Sequence, residues 1–194
     1  LQKAIESNAP NVKELTAQVA NTLVEQIEHL SQIAGDFSQF AHIGESAREE
    51  VNLNDVLDKV LDLYASNEKL VISKQLLEEP VRVIGDRTHM NRLFNNLVLN
   101  AIQAVPDDRV ARIDIRETLS DGKVLISISD NGQGINQELQ SRIFAPNFTT
   151  KTSGTGLGLA MCKRIVEQAD GEIWFDTKPG TGTSFFVMFP LTSS

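Results

Sequence analysis

Residues 130–159 read DNGQGINQELQSRIFAPNFTTKTSGTGLGL, and the fold turns on how this stretch is understood. It opens on an acidic residue followed by Gly132 and Gly134. It then crosses a segment of aromatic and hydroxyl side chains, and closes on Gly154, Gly156 and Gly158 in G-x-G-x-G spacing. Apolar residues after Leu157 fall at helical spacing to about Ala169, where Asp170-Gly171 supplies a stop. Glycines running straight into a helix expose backbone N–H groups and the positive end of the helix dipole, so this junction suits an anion. No Gly-Lys-Ser/Thr follows, which excludes a Walker A loop, and the spacing and late position exclude a dinucleotide fingerprint. The segment 144–151 carries Phe144, Phe148, Thr149, Thr150 and Lys151 with little regular structure, which suits a mobile cover whose cation meets phosphate.

Working upstream, the strand 123–129 places Val124, Ile126 and Ile128 on one face, and Asp130 continues that alternation. A carboxylate entering an apolar layer needs a partner. The exocyclic amine of adenine is a suitable one, and a plain turn between strand and helix is the alternative. Gly132 and Gly134, ahead of Ile135, allow close backbone approach. Further upstream, NNLVLNAIQA at 95–104 lies in a helix that Asp86 caps and that runs to about residue 105. Asn96 and Asn100 are four apart and share a face. An amide oxygen is a hard, uncharged ligand suited to Mg²⁺, with an exposed polar face as the alternative reading. Around these clusters the pattern predicts a helix over 54–64 and strands over 70–76, 82–84 and 112–118. A closing hairpin is expected from 172–177 and 183–189.

The first part of the chain reads as a long helix over 11–43. Thr16, Ala20, Leu23, Ile27, Leu30, Ala34, Phe37 and Ala41 recur in steps of four and three, the seam of a helical bundle. Val19, Val24, Ile33 and Phe40 widen the stripe. One such helix cannot bury this stripe alone, so a partner surface is implied, with an ordinary amphipathic helix packed on its own domain as the alternative. Pro10 marks a break, with 1–7 as the tail of a preceding antiparallel helix, and the polar run GESAREE at 44–50 reads as a linker.

The 194 residues are 41% hydrophobic and 23% charged, ordinary for a globular protein. A net charge of −8 disfavours nucleic acid as a partner. It also means that a polyphosphate must be held by backbone N–H groups and a metal ion, not by bulk charge. The single cysteine, Cys162, suits a reducing compartment and buried packing. No apolar run would cross a bilayer and no leader is visible, so no membrane contact and a cytoplasmic location are expected of this stretch. The opening on Leu1 reads as an excerpt of a longer protein.

In order and spacing, the four clusters resemble the asparagine box, first glycine box, phenylalanine box and second glycine box of the histidine kinase branch of the GHKL ATPases, across residues 86–189. The ending GTGTSFFVMFP at 180–190 resembles the last strand of that fold. NAIQA and TTK-x-x-GTGLGL look closest to nitrogen-regulation-type sensor kinases. The resemblance implies an α+β fold, the two-layer α/β sandwich known as the Bergerat ATP-binding fold, preceded by a long bundle helix. It implies ATP and Mg²⁺ as ligands, with Asn100 on the metal. Asp130, Gly132, Gly134, Ile135 and Thr183 would surround the adenine. Thr149, Thr150 and Lys151, with the amides of Gly154, Thr155, Gly156, Leu157 and Gly158, would meet the phosphates. Asn96 stands where Hsp90-like and MutL-like relatives carry a general-base Glu, so Asn96 and Lys151 would serve phosphotransfer and not hydrolysis. Two departures are visible: Gln103 stands where many members place a phosphate-binding Lys, and Asn147 replaces a large apolar residue.

The resemblance also divides the chain. Residues 1–45 would be the C-terminal part of the dimerisation and histidine-phosphotransfer hairpin, 46–52 a linker and 53–194 the catalytic domain. The family's acceptor histidine is followed by an acidic residue and soon by Pro. His29, His42 and His89 are followed by Leu-Ser, Ile-Gly and Met-Asn, so none fits; His29, mid-helix, fits least badly, and the acceptor is expected before Leu1. The implied activity is transfer of the ATP γ-phosphate to a histidine outside this chain, for relay to a response-regulator receiver domain. The parent would be a homodimer through its helical bundle, with inner-membrane anchoring left open. The fragment itself would bind Mg-ATP without phosphorylating itself. Two rival readings are another GHKL ATPase or serine kinase, and a nucleotide-binding or dimerising module without catalysis.

Overall fold

Two alternating runs, joined by a two-residue turn, build the centre of the sheet. The computed structural model describes residues 12–43, 47–151 and 154–192. Its elements in chain order are α1 (Val12–His42), β1 (Glu49–Asn52), α2 (Leu53–Asp62), β2 (Leu70–Gln75), β3 (Arg82–Gly85) and α3 (Arg87–Gln103). They continue with β4 (Ala111–Ser120), β5 (Lys123–Asp130), α4 (Gln137–Gln140), α5 (Gly158–Gln168), β6 (Glu172–Lys178) and β7 (Gly182–Pro190). β4 and β5 pair antiparallel across Asp121 and Gly122, both at positive φ (51° and 73°), the left-handed pair that a tight hairpin requires.

The main sheet has the order β2-β4-β5-β7-β6. The β2–β4 pair is parallel and the others antiparallel, so the sheet is mixed. Ile113, Ile115, Val124, Ile126, Ile128, Phe185, Val187 and Phe189 are buried along its inner face. α3 lies at the centre of the helical layer and packs on α2, α5, β4 and β5. Its Met90, Leu93, Phe94, Leu97, Val98 and Ala101 are buried at three- and four-residue spacing. Asp86 caps it, accepting from the His89 amide at 2.9 Å. This is the α+β layering expected from the sequence, with a long helix ahead of it.

The polar run before α2 differs from expectation. Glu49–Asn52, read as linker, form β1 and pair antiparallel with β3 in a second, two-stranded sheet. Val51 and Val83 are paired and buried, while Glu50 meets Arg82 and Glu49 lies 3.6 Å from Arg87 on the outside. A two-stranded edge ribbon needs one apolar position inward and tolerates acidic residues outward, so its polarity resembles that of a linker. Residues 1–11 and 44–46, including the expected antiparallel tail, lie outside the described residues.

α1 keeps its stripe in solvent: Leu23, Val24, Ile27, Leu30, Ile33 and Phe37 are all exposed. Its end is different. Ile43 is fully buried, and Phe40 packs against the same core. Arg48, just beyond, pairs with Asp170 at 2.5 Å.

Candidate nucleotide site

The C-terminal half of α3, the end of β5 and the start of α5 meet on one side of the helical layer. Asn96 is half-buried and its Nδ2 approaches Met161 Sδ at 4.0 Å, so it faces α5. One turn on, Asn100 Oδ1 accepts from Lys151 Nζ at 2.8 Å, and the same ammonium donates to Gln103 Oε1 at 2.6 Å. The shared helix face expected of Asn96 and Asn100 is what the structure has. Asn95 points elsewhere, where its Oδ1 accepts from the Tyr64 hydroxyl at 2.8 Å. Burial pulls the Lys151 ammonium below its ordinary pKa.

Asp130 ends β5 on the inner face. Its Oδ1 accepts from Gly132 N at 2.8 Å and Thr183 N at 3.2 Å. Both bonds land on Oδ1, so the lone pairs of Oδ2 are the ones open to an incoming donor. Burial raises the carboxyl pKa, and these two N–H bonds pull it partly back. A Cβ on Gly132 would come within 2.6 Å of the Ala104 carbonyl, which accepts from Gln133 N at 3.0 Å. The Asp130 loop is therefore tied to the end of α3, and the two clusters share one scaffold. Thr177, which the sequence reading did not single out, holds the other side. Its Oγ1 accepts from Ile135 N at 2.9 Å, donates to Gly182 O at 3.1 Å and lies 3.0 Å from Thr183 Oγ1. Thr177 and Thr183 are cross-strand partners, a pairing that the closing hairpin already suggested.

The loop between α4 and α5 is rooted by Phe144, whose ring stands edge-on to Phe175 and Phe185 at 6.0 and 6.4 Å. Arg142 stacks on Phe148 at 4.9 Å. Asn147 adopts φ 60°, a left-handed conformation that Asn tolerates and a large apolar residue resists, which accounts for its presence. Gly156 (φ 70°) lies so close to Asn147 and Phe148 that a Cβ would come within 2.7 Å of the Asn147 carbonyl carbon. Thr149 Oγ1 accepts from Lys151 N at 3.0 Å, and Gly154 N donates to Lys151 O at 3.2 Å. Thus Gly154 and Gly156 fold this loop upon itself. Leu157 is buried, while Thr150 is exposed.

Gly158 behaves otherwise. It begins α5 with no positive φ, and a Cβ there would meet only the Asn96 amide at 3.9 Å. Leu157, at the N-cap, gives no side-chain cap. Neither conformation nor packing explains glycine at this position. His89, by contrast, sits eleven residues before Asn100, about 16 Å along the α3 axis, outside the site. The side chains of His29 and His42 lie outside the described residues.

Comparison with known proteins identifies the family. The family model described as histidine kinase-, DNA gyrase B- and HSP90-like ATPase matches residues 85–193, more than half of the chain. The chain therefore belongs to this ATPase family, as the ATP-binding catalytic region of a sensor histidine kinase. It is 31% identical to the sensor histidine kinase ZraS of Klebsiella oxytoca over 90% of this chain and 38% of that protein. It is 32% identical to the signal transduction histidine-protein kinase AtoS of Escherichia coli (strain K12), over 88% of this chain and 28% of that protein. It thus spans well under half the length of these relatives. Among solved structures, the catalytic domain of histidine kinase ThkA shares 34% identity at a TM-score of 0.66, covering 74% of this chain and 95% of that one. ThkA in complex with the response regulator TrrA matches at 27% identity and a TM-score of 0.73, over 94% of this chain and 52% of that one. These matches place the chain among sensor kinases; the nitrogen-regulation subtype stays an expectation from sequence.

Proposed function

We propose that this chain binds Mg-ATP between α3, the end of β5 and the start of α5, and presents the γ-phosphate to a histidine on another segment for relay to a response regulator. The observation that carries the reading is Gly158. The uncapped first turn of α5 offers N–H groups to an anion, and a glycine there lets a phosphate approach where a Cβ would stand.

Asp130 Oδ2 would accept the adenine amine, with Thr183 beside it and Thr177 bracing the loop. Lys151 and the amides at the start of α5 would neutralise phosphate charge, while the Gly154 N–H is already bonded to the Lys151 carbonyl. Asn100 Oδ1 fits a metal, because it already accepts from a cation, and Mg²⁺ bound there would offset phosphate charge. Asn96 faces the same space, and its amide cannot take a proton from water, which favours transfer over hydrolysis. The exposed stripe of α1 supports dimerisation through a helical bundle, and the likeness to ThkA supports a receiver-domain partner. Residues 1–45 would belong to the phosphotransfer hairpin and the catalytic domain would follow. None of the three histidines has the acceptor pattern, so this chain by itself takes no phosphate.

The test is incubation with γ-labelled ATP. No acid-labile label is expected on the chain alone, and label is expected on a supplied hairpin that carries an acceptor histidine. Label on the chain, or rapid phosphate release without an acceptor, overturns the reading. Mg-ATP should also raise the melting temperature, and Asp130→Asn should remove that shift.

A further inference from the structure

Lys151 and Gln103 are 48 positions apart in the chain, yet the ammonium rests on the Gln103 amide oxygen at 2.6 Å and on Asn100 Oδ1 at 2.8 Å. Asn100 and Gln103 are three apart on α3, so one turn of helix gathers both oxygens on one cation. No carboxylate pairs with Lys151 among the described residues, although the chain carries 26 acidic residues. Gln103 is the last residue of α3, where the negative end of the helix dipole favours a cation. An ammonium has three donors, and these two bonds leave one for a phosphate oxygen. The loop is braced behind it by the Thr149 hydroxyl and the Gly154 amide.

We propose that Gln103 is a positioning residue for Lys151, holding its ammonium on the Asn100 oxygen as a stand-in for the divalent cation until Mg-ATP binds. The proposal rests on the reading of Asn100 as the cation ligand. Neutral oxygens suit this task better than a carboxylate. They hold the ammonium firmly enough to place it, and they give it up when a divalent ion arrives with the nucleotide. Once Lys151 leaves Asn100, Gln103 keeps it within reach of the phosphates.

The experiment uses the 194-residue chain and two readouts: calorimetric ATP affinity with Mg²⁺ and with a chelator, and amide exchange over 148–151 without nucleotide. Gln103→Leu removes the oxygen and keeps the bulk. It should weaken metal-free ATP about tenfold more than Mg-ATP, in line with loss of one hydrogen bond to a charged group. It should also speed exchange over 148–151, and Gln103→Glu should restore protection. Unchanged exchange and an unchanged ratio of the two affinities in Gln103→Leu overturn the proposal. Asn100→Leu separates the premise from the inference. If it leaves the Mg²⁺-dependent part of binding intact, Asn100 is not the cation ligand and the stand-in role falls with it. If it removes that part while Gln103→Leu changes nothing, the role of Gln103 alone is refuted.

Discussion

The Arg164 guanidinium lies 5.1 Å above the Phe40 ring, and its Nη1 donates to the Phe40 carbonyl at 3.1 Å. Arg164 stands on α5, six residues after Gly158, about 9 Å along the axis from the first turn of that helix. One short helix therefore borders the candidate nucleotide site at its start and touches the end of α1 near its middle. Arg164→Ala should cost about 2–4 kcal/mol, the sum of a cation–π contact and one hydrogen bond from a charged group. Urea unfolding reads the loss. Amide exchange should rise at 40–43 and stay unchanged at 113–128; a uniform rise would mean that the contact does not act locally.

The glycines divide into two kinds, and substitution separates them. Gly132→Ala drives a Cβ to 2.6 Å from the Ala104 carbonyl and should destabilise the fold by about 1–3 kcal/mol, the usual cost of overpacking. Gly158→Ala meets nothing closer than 3.9 Å and sits in a helix, where Ala is favoured over Gly by up to about 1 kcal/mol. It should melt no lower than the parent, yet bind Mg-ATP at least about tenfold more weakly, a loss of roughly 1.4 kcal/mol. Melting curves paired with nucleotide titration check both. Full affinity in Gly158→Ala would remove the first turn of α5 from the phosphate role.

The contrast between Asn100 and Gln103 shows what could be seen in the sequence and what could not. Asn96 and Asn100 on one helix face, and Asp130 at the inner end of β5, follow from periodicity, which is local. The strand β1 escaped because pairing through backbone groups leaves Glu49 and Glu50 outward and the stretch looks like a linker. The reach of Lys151 to Gln103, and of Gly134 to the Lys178 carbonyl, depends on which surfaces the finished sheet brings together; no spacing records it. Four-residue α4 was too short for any periodic signal. The reason for Asn147 became visible only with its φ of 60°.

Glu117 sets a pH dependence remote from the site. It is buried on β4 with Ile113 and Ile115. Its Oε2 accepts from Leu77 N at 3.1 Å and Asn54 Nδ2 at 3.3 Å, while Oε1 has no partner among the described residues. Burial raises its pKa, and the two hydrogen bonds only partly offset this. Because the folded pKa is the higher one, the stabilisation is complete below the ordinary carboxylate range and is lost as pH rises through the raised value. Glu117→Gln should therefore be less stable relative to the parent at about pH 4 than at about pH 8, a range spanning the carboxylate titration. Urea midpoints of both proteins across that range decide the point, and parallel curves would refute it.

The stripe on α1 offers the last test. Ile27 and Leu30 are 62% and 64% exposed, so nothing among the described residues covers them. A lone exposed leucine is ordinary, but six large apolar residues along one helix form a surface that water solvates poorly. Leu30→Glu touches no core residue and should shift stability by no more than about 0.5 kcal/mol, the usual range for a surface change. If the stripe is the bundle seam, the same change should move the chain from dimer to monomer in sedimentation at micromolar concentration. Phe37→Glu, two turns on, should do likewise, since a seam fails wherever a charge enters it. Asp130→Asn should leave the association untouched, because the seam and the nucleotide site share no residue. Dimers that survive both α1 changes would show that this helix face is not where two copies meet.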